Sequence, residues 1–265
     1  MGIINDQSNM APTLSSEQIR AWQNQGYLKV PSLFDDGEVC NLDASIMRLE
    51  ATRMSTDESI LHYYEAIGGA KRKSRSERFI GLLSWLDNFI LYGKIKAVVE
   101  QLFGERALLF KEKINYKYPN GGGFDPHQDA AAYDFGDFHI TCLIAPKPTS
   151  IENGCLFIAQ NEHRRGLLAT NSKRCLTKDV AEAMRWQPVP TNSHDALFFG
   201  SYTPHYSPTN KSEEARRALY LTFNRASCGN LRAEYYSQRN KSLEIAERHN
   251  RKLISTIQHF NGSTV

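Results

Sequence analysis

The sequence predicts an α+β fold in which a double-sheet β barrel is covered by helices. Amphipathic helical spacing dominates residues 14–104, whereas residues 107–225 hold many short segments of alternating polarity separated by turn residues. Helical spacing returns over residues 226–265. Helices followed by many short strands are typical of an α+β barrel. We therefore predict one domain over residues 1–265, with a helical jacket, a β core and a helical tail in that order.

Composition and charge exclude several classes of protein. Hydrophobic residues make up 41% and charged residues 23%, as in ordinary globular proteins. The net charge of +3 is too small to indicate a nucleic-acid partner. Five cysteines without a C-x-x-C pair indicate neither a disulfide framework nor a zinc ribbon. With no apolar leader and no membrane-spanning run, we expect a cytoplasmic protein that acts on a small molecule without a membrane partner. Nothing in the sequence indicates its oligomeric state.

The first helix is predicted from its cap. Residues 1–13 are polar and predicted to be disordered, and Ser15 and Gln18 then have the spacing of a capping box. Gly26 is the predicted end of that helix. A short strand and a second helix are predicted next, over 27–31 and 36–52.

The stretch 55–78 has no clear period. It contains Gly68-Gly69 and the basic run 71–75, so we interpret it as a long, partly helical loop with a solvated basic run. Alternative interpretations of the basic run are a targeting signal or a lid over an anionic substrate, and the whole stretch is a candidate lid. Helical spacing resumes over 82–102, and Gly104 is its predicted end.

The segment 108–118 alternates between two faces. One face is predicted to pack under the helices and carries Leu108, Phe110, Ile114, Tyr116 and Tyr118. The other face carries Lys111, Lys113, Asn115 and Lys117. Such a polar face is a binding site if it points into the barrel and plain surface if it points outward. The remaining predicted elements are a turn over 119–123, strands over 138–145, 154–158, 186–189, 195–199 and 217–223, and a helix over 233–260.

His127 and Asp129 form the sharpest local motif. Residues i and i+2 of a strand project from one face, so both side chains can reach one metal ion. Two histidines and one carboxylate on one face leave positions open for a co-substrate and O2, as in non-haem iron oxygenases. The alternative is a histidine hydrogen-bonded to an aspartate at a strand end.

Position selects the second histidine from the eight in the chain. His205 follows the apolar strand that ends at Gly200 and lies 78 positions after His127, which leaves room for several strands to return to the same barrel mouth. The other histidines lie in helical, tail, strand or loop contexts: His62, His139, His163, His194, His249 and His259.

An arginine follows His205 on the next strand. Arg216 comes 11 residues later and is suited to a bidentate pair with the far carboxylate of 2-oxoglutarate. Alternation places Arg216 with Tyr220 and Thr222, whereas Arg217 shares its face with apolar residues. We therefore predict that Arg216 binds the co-substrate.

These residues resemble the phytanoyl-CoA-dioxygenase-like family. The resemblance covers most of the chain and rests on the helix and strand over 14–30, on His127-Gln128-Asp129, on the segments 152–156 and 163–166, and on His205 and Arg216. It implies a double-stranded β-helix, that is, a jelly-roll or cupin-like barrel. It also implies Fe(2+), with 2-oxoglutarate and O2 as co-substrates, and hydroxylation of an unactivated carbon with release of succinate and CO2.

Finer similarities add to the site. Residues 114–117 resemble a strand of the ectoine hydroxylase branch, which implies that Lys111 and Asn115 line the 2-oxoglutarate pocket, and Ser207 matches a co-substrate contact of that branch. The segments 201–205, 217–227 and 233–236 look most like the branch that hydroxylates aminoalkylphosphonates, although residues 237–240 depart from its pattern. The implied substrate is a small polar metabolite, either an aminophosphonate or a natural-product intermediate.

Candidate substrate contacts are Asn224, Thr222 and Tyr133, for which the alternative is an ordinary strand or loop role. The carboxylate of Asp129 argues against a halogenase, which needs a small residue there. Three alternatives stay open: another oxidative step such as desaturation, epimerisation or ring formation; a non-catalytic metal-binding barrel; and a zinc hydrolase. Arg216 argues against the last two, because neither explains it.

Overall fold

The computed structural model describes residues 12–52, 60–133, 137–248 and 258–265. Its helices are α1 (Ser16–Gln25), α2 (Asp36–Ala51), α3 (Ser84–Leu91), α4 (Lys94–Phe103), α5 (Lys178–Glu182) and α6 (Arg232–Arg248). Its strands are β1 (Tyr27–Val30), β2 (Leu61–Ile67), β3 (Ala70–Glu77), β4 (Ala107–Lys117), β5 (Phe124–His127), β6 (His139–Ile144), β7 (Leu156–Ala159), β8 (Trp186–Val189), β9 (Ala196–Gly200), β10 (His205–Ser207), β11 (Arg216–Arg225) and β12 (Ser263–Thr264). None of the helices in these ranges is long and apolar enough to cross a bilayer.

The strands form two antiparallel sheets. The larger has the order β1-β9-β6-β11-β4-β3-β2-β12, and the smaller has the order β5-β10-β7-β8. A buried cluster that includes Leu143, Ile158, Leu197 and Ala218 joins the inner faces of the two sheets. The non-sequential strand order and the helical covering are those of a double-stranded β-helix, which confirms the predicted fold class.

The outer face of the larger sheet packs against helices. Leu219 and Leu221 of β11 share one buried cluster with Ile46 of α2 and Val98 of α4, and all four are fully or almost fully buried. Each such side chain contributes about 1.5–3 kcal/mol by leaving water. Because this face of the sheet is apolar, the polar face of β4 and β11 points into the barrel.

The two helix ends predicted from glycine and capping residues are confirmed. Ser15 and Gln18 form a reciprocal capping box at α1, and Gly26 adopts a left-handed conformation at its end. Gly104 ends α4 in the same way. The single helix predicted over 82–102 is instead two helices, because the backbone turns at Gly93, where a Cβ would lie 2.5 Å from the Phe89 carbonyl oxygen.

The loop predicted over 55–78 is wrong for residues 61–77, and residues 55–59 lie outside the described part of the chain. Residues 61–77 form the β2–β3 hairpin, whose turn uses Gly68 and Gly69 with φ of 56° and 80°. The solvated basic run is correct only for its first part, since Arg75 is 2% exposed. Lys73 is also buried and donates to the carbonyls of Glu50 and Thr52 at 2.7 Å each, at the end of α2. Charged strands of this kind give no apolar alternation, so the sequence pattern missed them.

A bulge changes the predicted faces of β4. Thr222 pairs with Lys111, but Phe223 pairs with Leu109, so Phe110 is skipped. Phe110 therefore does not join the helix-covered face and instead contacts rings on the inner side, including that of His139 at 4.5 Å. The residues that follow keep the predicted alternation, with Lys111 and Asn115 facing inward.

The C-terminal helix is shorter than predicted. Its described part runs from Arg232 to Arg248, residues 249–257 lie outside the described residues, and residues 258–260 are not helical. Phe260 bridges Phe124 of β5, while Ser263 pairs with Ala66 of β2. The segment 258–265 links the edge of the larger sheet to the smaller one.

Candidate active site

Three potential metal ligands converge at the smaller sheet. His127 ends β5 and His205 begins β10, and antiparallel register places them directly opposite each other. Their rings are 4.2 Å apart, and Nε2 of His127 lies 4.0 Å from Oδ1 of Asp129. One ligand atom from each of the three residues lies within 4.8 Å of the others, and all three are buried. The sequence-predicted triad is thus brought together.

Asp129 reaches this point by a route other than the predicted one. The strand ends at His127, and Asp129 begins a 3-10 turn over Asp129–Ala132. The turn still aims the carboxylate towards both imidazoles. The prediction of one continuous strand was wrong, although the two side chains meet as expected.

The backbone orients both imidazoles. Nδ1 of His127 lies 2.7 Å from the Asp125 carbonyl oxygen, and Nδ1 of His205 lies 2.9 Å from that of Thr203. Each Nδ1 therefore carries a proton and donates it, which leaves the Nε2 lone pair available to a metal. Burial lowers the pKa of both rings, which favours this neutral form.

Electrostatics keep the third ligand ionised. Burial opposes ionisation of Asp129, but the charges of Lys111 and Lys113 outweigh it and hold the pKa of this carboxyl below its usual range. Two neutral nitrogens and one carboxylate oxygen, all buried and convergent, fit a divalent 2-His-1-carboxylate centre.

Gln128, between the ligands, has a structural role that the motif alone did not suggest. Its amide donates to the carbonyls of Gly166 and Tyr202 at 2.9 and 2.7 Å, and its oxygen accepts from the Leu168 backbone at 2.8 Å. These bonds join the segment that carries Gln128 to two other loops. Gln128 therefore fixes the backbone that carries His127 and Asp129.

A second polar group lies beside the triad. The Gly154 carbonyl accepts from Ser207 Oγ at 2.8 Å and from Arg216 at 2.5 Å. Nζ of Lys117 donates to Ser207 Oγ at 2.5 Å. Two further nitrogens of Arg216, Nε and one terminal nitrogen, are buried without a hydrogen-bond partner in the described part of the chain. We call the side chains of Lys117, Ser207 and Arg216 the clamp. The unpaired nitrogens of Arg216 leave this clamp with donors available for an anion.

The alternation argument separated the two arginines correctly. Arg216 points inward and is 3% exposed. Arg217 points to the outer face, where its Nε lies 2.6 Å from Glu50 of α2. Lys117 was placed on the polar strand face by the sequence, but nothing in the pattern indicated that it contacts Ser207.

A cavity lies between the two histidines of the triad and Ser207 of the clamp. Its lining combines ligands, polar strand residues and aromatic side chains: Lys113, Asn115, Phe124, His127, Leu156, His205, Tyr206, Ser207, Tyr220 and His259. Asn115 faces inward and lines this cavity, and its side-chain oxygen accepts from Arg75 at 3.0 Å. His259 was set aside as a tail residue, yet its ring lies 4.1 Å from that of His127.

Lys111 lies in a different part of the interior from Ser207. Its ammonium faces the rings of Tyr133 and Tyr235, 4.7 and 5.4 Å from their centroids. Thr222, its register partner, lies with its hydroxyl 3.0 Å from that of Thr141, which is 3.4 Å from Asp129. Lys111, Tyr133 and Thr222 therefore border the metal centre on a side away from the clamp.

Asn224 lies at the far end of β11. Its amide donates to the carbonyls of Arg225 and Gly229 at 2.7 and 2.9 Å, so it secures the turn that follows the strand. Its side-chain oxygen is buried without a partner among the described residues.

The remaining histidines serve other purposes. His62 bonds Ser76 at 2.8 Å, His194 bonds Asp36 at 2.9 Å, and His163 packs against Gly26, where a Cβ would lie 2.5 Å from its ring. His249 lies outside the described residues. Among the His, Cys, Asp and Glu side chains of the described ranges, those of the triad lie close enough together to hold one metal ion.

Comparisons with known proteins agree with this geometry. The family model "Phytanoyl-CoA dioxygenase (PhyH)" matches residues 22–218. A methylphosphonate hydroxylase of Gimesia maris is 41% identical over 255 residues, which cover 96% of this chain and 98% of that protein. A 2-aminoethylphosphonate dioxygenase from an uncultured bacterium is 33% identical over 239 residues, covering 88% and 91%.

The fold has solved counterparts. The epimerase SnoN, crystallised with Fe3+, alpha ketoglutarate and nogalamycin RO, superposes with a TM-score of 0.66. The two chains are 22% identical, and the match covers 79% of this chain and 83% of SnoN. This likeness supports the double-stranded β-helix assigned above.

Proposed function

The chain belongs to the phytanoyl-CoA dioxygenase family, and from this premise we propose that it hydroxylates a carbon of a short alkylphosphonate. It is a dioxygenase that uses iron, 2-oxoglutarate and O2 and acts on a small molecule. The overall change converts a C–H bond to C–OH while 2-oxoglutarate and O2 become succinate and CO2, with the second oxygen atom entering succinate. The family assignment also removes the hypotheses of a non-catalytic barrel and a zinc hydrolase.

The roles of individual side chains follow from their donors. His127, Asp129 and His205 would hold Fe(II), which supplies the oxidising chemistry when it is bound with its co-substrates. Arg216, with Ser207 and Lys117 of the clamp, would bind the far carboxylate of 2-oxoglutarate through charge-assisted hydrogen bonds. Burial of these groups excludes water and strengthens those bonds.

The observation that carries the substrate proposal is an excess of buried positive charge on the inner face. Among the described residues there, six basic side chains are buried: Arg75, Lys111, Lys113, Lys117, Arg216 and Arg239. Three buried carboxylates accompany them: Glu65, Glu77 and Asp129. The charges of Fe(II) and 2-oxoglutarate cancel, so an excess of cations remains for the substrate.

The pKa of Lys113 reflects this excess of basic groups. Burial and the neighbouring charges of Lys111 and Arg75 together lower this pKa to about 7, although Asp129 and Glu77 oppose this shift. Such mutual repulsion is relieved when a dianion enters. A phosphonate carries that charge in a compact group, and the two relatives quoted above are named for phosphonate substrates.

The test is substrate-dependent turnover. Purified enzyme with Fe(II), 2-oxoglutarate and O2 is offered methylphosphonate, 2-aminoethylphosphonate, propionate and propanol. We expect a phosphonate to stimulate succinate release and to yield a new hydroxylated species by phosphorus NMR. Asp129→Ala, which removes a metal ligand, should show neither signal. Stimulation by a neutral or carboxylate compound with none from either phosphonate would contradict the proposal.

A further inference from the structure

Arg239 is a buried arginine that the clamp and the metal triad do not use. It is 2% exposed, and none of its three guanidinium nitrogens has a hydrogen-bond partner among the residues that the structure describes. The carboxylate beside it belongs to Glu77, whose Oε2 lies 3.9 Å from Nε. The other oxygen of Glu77 accepts from Arg75 at 3.0 Å. The Tyr63 ring also faces this guanidinium, with its centroid 5.2 Å from the central carbon, but a ring does not supply the oxygen acceptors that the N–H groups lack. A buried guanidinium held this way is costly unless a ligand completes its hydrogen bonds.

Helix α6 carries Arg239 into the interior and is itself firmly fixed. Arg232, in its first turn, donates through both terminal nitrogens to the buried carboxylate of Glu112 on β4. Tyr235 lies one turn before Arg239 on the same side of the helix, and its ring is 4.8 Å from that of Phe110. The position of Arg239 is therefore set by the packing of α6 on β4.

Lys111 belongs to the same wall. Its ammonium lies 5.4 Å from the Tyr235 ring and 4.7 Å from the Tyr133 ring. Tyr133 directly follows the turn that begins with Asp129. Burial lowers the pKa of Lys111, Asp129 and Glu77 oppose that shift, and the charges of Arg75 and Arg239 add to it. The charges of Asp129, on the metal side, and of Arg239 therefore both act on Lys111.

We propose that Arg239 and Lys111 form an anion subsite that binds the phosphonate oxygens of the substrate. The subsite is separate from the clamp, which lies around Ser207. The planar guanidinium suits two of the three phosphonate oxygens, and the ammonium adds a point charge for the third. This inference rests on the proposed function, since it assigns the substrate's anionic group to named residues.

The competing explanation is that Arg239 only neutralises Glu77. The nearest approach between them, 3.9 Å, is longer than a hydrogen bond, and Arg75 already pairs with the same carboxylate. The two explanations differ in whether Glu77→Gln should restore phosphonate binding to the Arg239→Gln variant.

The first experiment compares Arg239→Gln with Lys241→Gln, an exposed cation on the same helix. We expect Arg239→Gln to raise the KM for methylphosphonate roughly 10- to 100-fold, the loss of one to two charge-assisted hydrogen bonds. Its KM for 2-oxoglutarate should stay within twofold of wild type. Lys241→Gln should leave both KM values unchanged.

A binding measurement without turnover accompanies it. Methylphosphonate added to metal-free protein should raise the Tm of wild type and of Lys241→Gln, but not that of Arg239→Gln. Arg239→Lys keeps the positive charge but loses the planar, bidentate geometry of the guanidinium. It should therefore fold normally and show an intermediate KM for methylphosphonate. This variant keeps the test decisive if Arg239→Gln does not fold.

The double variant Arg239→Gln/Glu77→Gln separates the two explanations. Recovery of phosphonate binding in the double variant would mean that Arg239 only balances Glu77, and the subsite would be refuted. Continued weak binding supports it. If wild type hydroxylates phosphonates but Arg239→Gln binds them equally well, the subsite is wrong and the proposed function stands. If wild type neither binds nor hydroxylates any phosphonate, both fail together.

Discussion

Two regions of the interior hold their charged groups in different ways. On the metal side, made of the triad and the clamp, short bonds to backbone carbonyls orient the two imidazoles and the clamp side chains, such as His127 on Asp125 and Arg216 on Gly154. In the outer wall, made of Arg75, Glu77, Lys111 and Arg239, charged groups face rings or one another. A metal and a common co-substrate need fixed geometry, whereas the wall has positive charge to be matched by a substrate.

The comparison also separates local from long-range construction. The two histidine ligands lie on adjacent short strands of one sheet, and the orientation of each ring depends on a residue two positions away. The outer wall draws on β3, β4 and α6, which are far apart in the chain. Changes on the metal side should therefore affect co-substrate binding, and changes in the β2–β3 hairpin should affect stability and the wall.

The largest expected effect comes from Arg216→Ala. It removes a buried guanidinium with two nitrogens that lack a hydrogen-bond partner among the described residues, so the KM for 2-oxoglutarate should rise roughly 100-fold or more. Arg217→Ala is the matched control. It removes the ion pair with Glu50 and should cost about 1 kcal/mol of stability with little change in that KM. A larger KM effect in Arg217→Ala would reverse the assignment of the two residues.

Gly154→Ala should have the next largest effect. Gly154 has a φ of 76°, and an added Cβ would lie 2.4 Å from the Pro208 carbonyl oxygen and 3.1 Å from Nζ of Lys117. We expect a loss of about 2–3 kcal/mol in the free energy of unfolding and roughly a 10-fold rise in the KM for 2-oxoglutarate, because the clamp must move.

Gly104→Ala is the control for backbone strain alone. Gly104 has a φ of 73° at the end of α4, with open space around its missing Cβ. Chemical denaturation should give a cost of about 1 kcal/mol and unchanged kinetics. Equal effects on KM in the two variants would show that crowding at Pro208 does not control the clamp.

The smallest expected effect is a loss of stability at low pH that arises from His62 in the β2–β3 hairpin. Burial, assisted by the charge of Lys73, lowers the pKa of His62 from 6.5 to about 4. The unfolded chain therefore binds a proton that the folded one does not between about pH 6.5 and 4, so stability falls as pH drops through that window. Since local relaxation and water entry reduce such burial costs, we expect about 1–2 kcal/mol.

Urea unfolding at several pH values measures this contribution. His62→Gln keeps a polar group opposite Ser76 but does not titrate, so its stability should depend less on pH between 6.5 and 4. An identical pH dependence in wild type and His62→Gln would assign the acid sensitivity to other groups. The hairpin carries Arg75 and Glu77, so acid should loosen the outer wall by this route.

Much of the metal side was predictable because its signals are local. The i, i+2 spacing of His127 and Asp129, the strand before His205 and the alternation that separates Arg216 from Arg217 depend on a few neighbouring residues each. The capping box at Ser15 and the helix end at Gly104 are equally local. Such features need only short-range geometry, which one sequence contains.

The outer wall and the closing segment were not predictable in this way. Strand β3 is rich in Lys and Arg, so its pattern indicated a loop, and only its pairing with β4 buries Arg75. The bulge that turns Phe110 inward depends on the partner strand β11, and the contact of His259 with His127 depends on residues 258–265 crossing to β5. The sequence by itself therefore determined the β-helix class, the triad and the inward arginine. Tertiary structure alone decided which charges are buried together. Their burial depends on pairing between segments that are far apart in the chain, and no sequence pattern indicates which segments will pair.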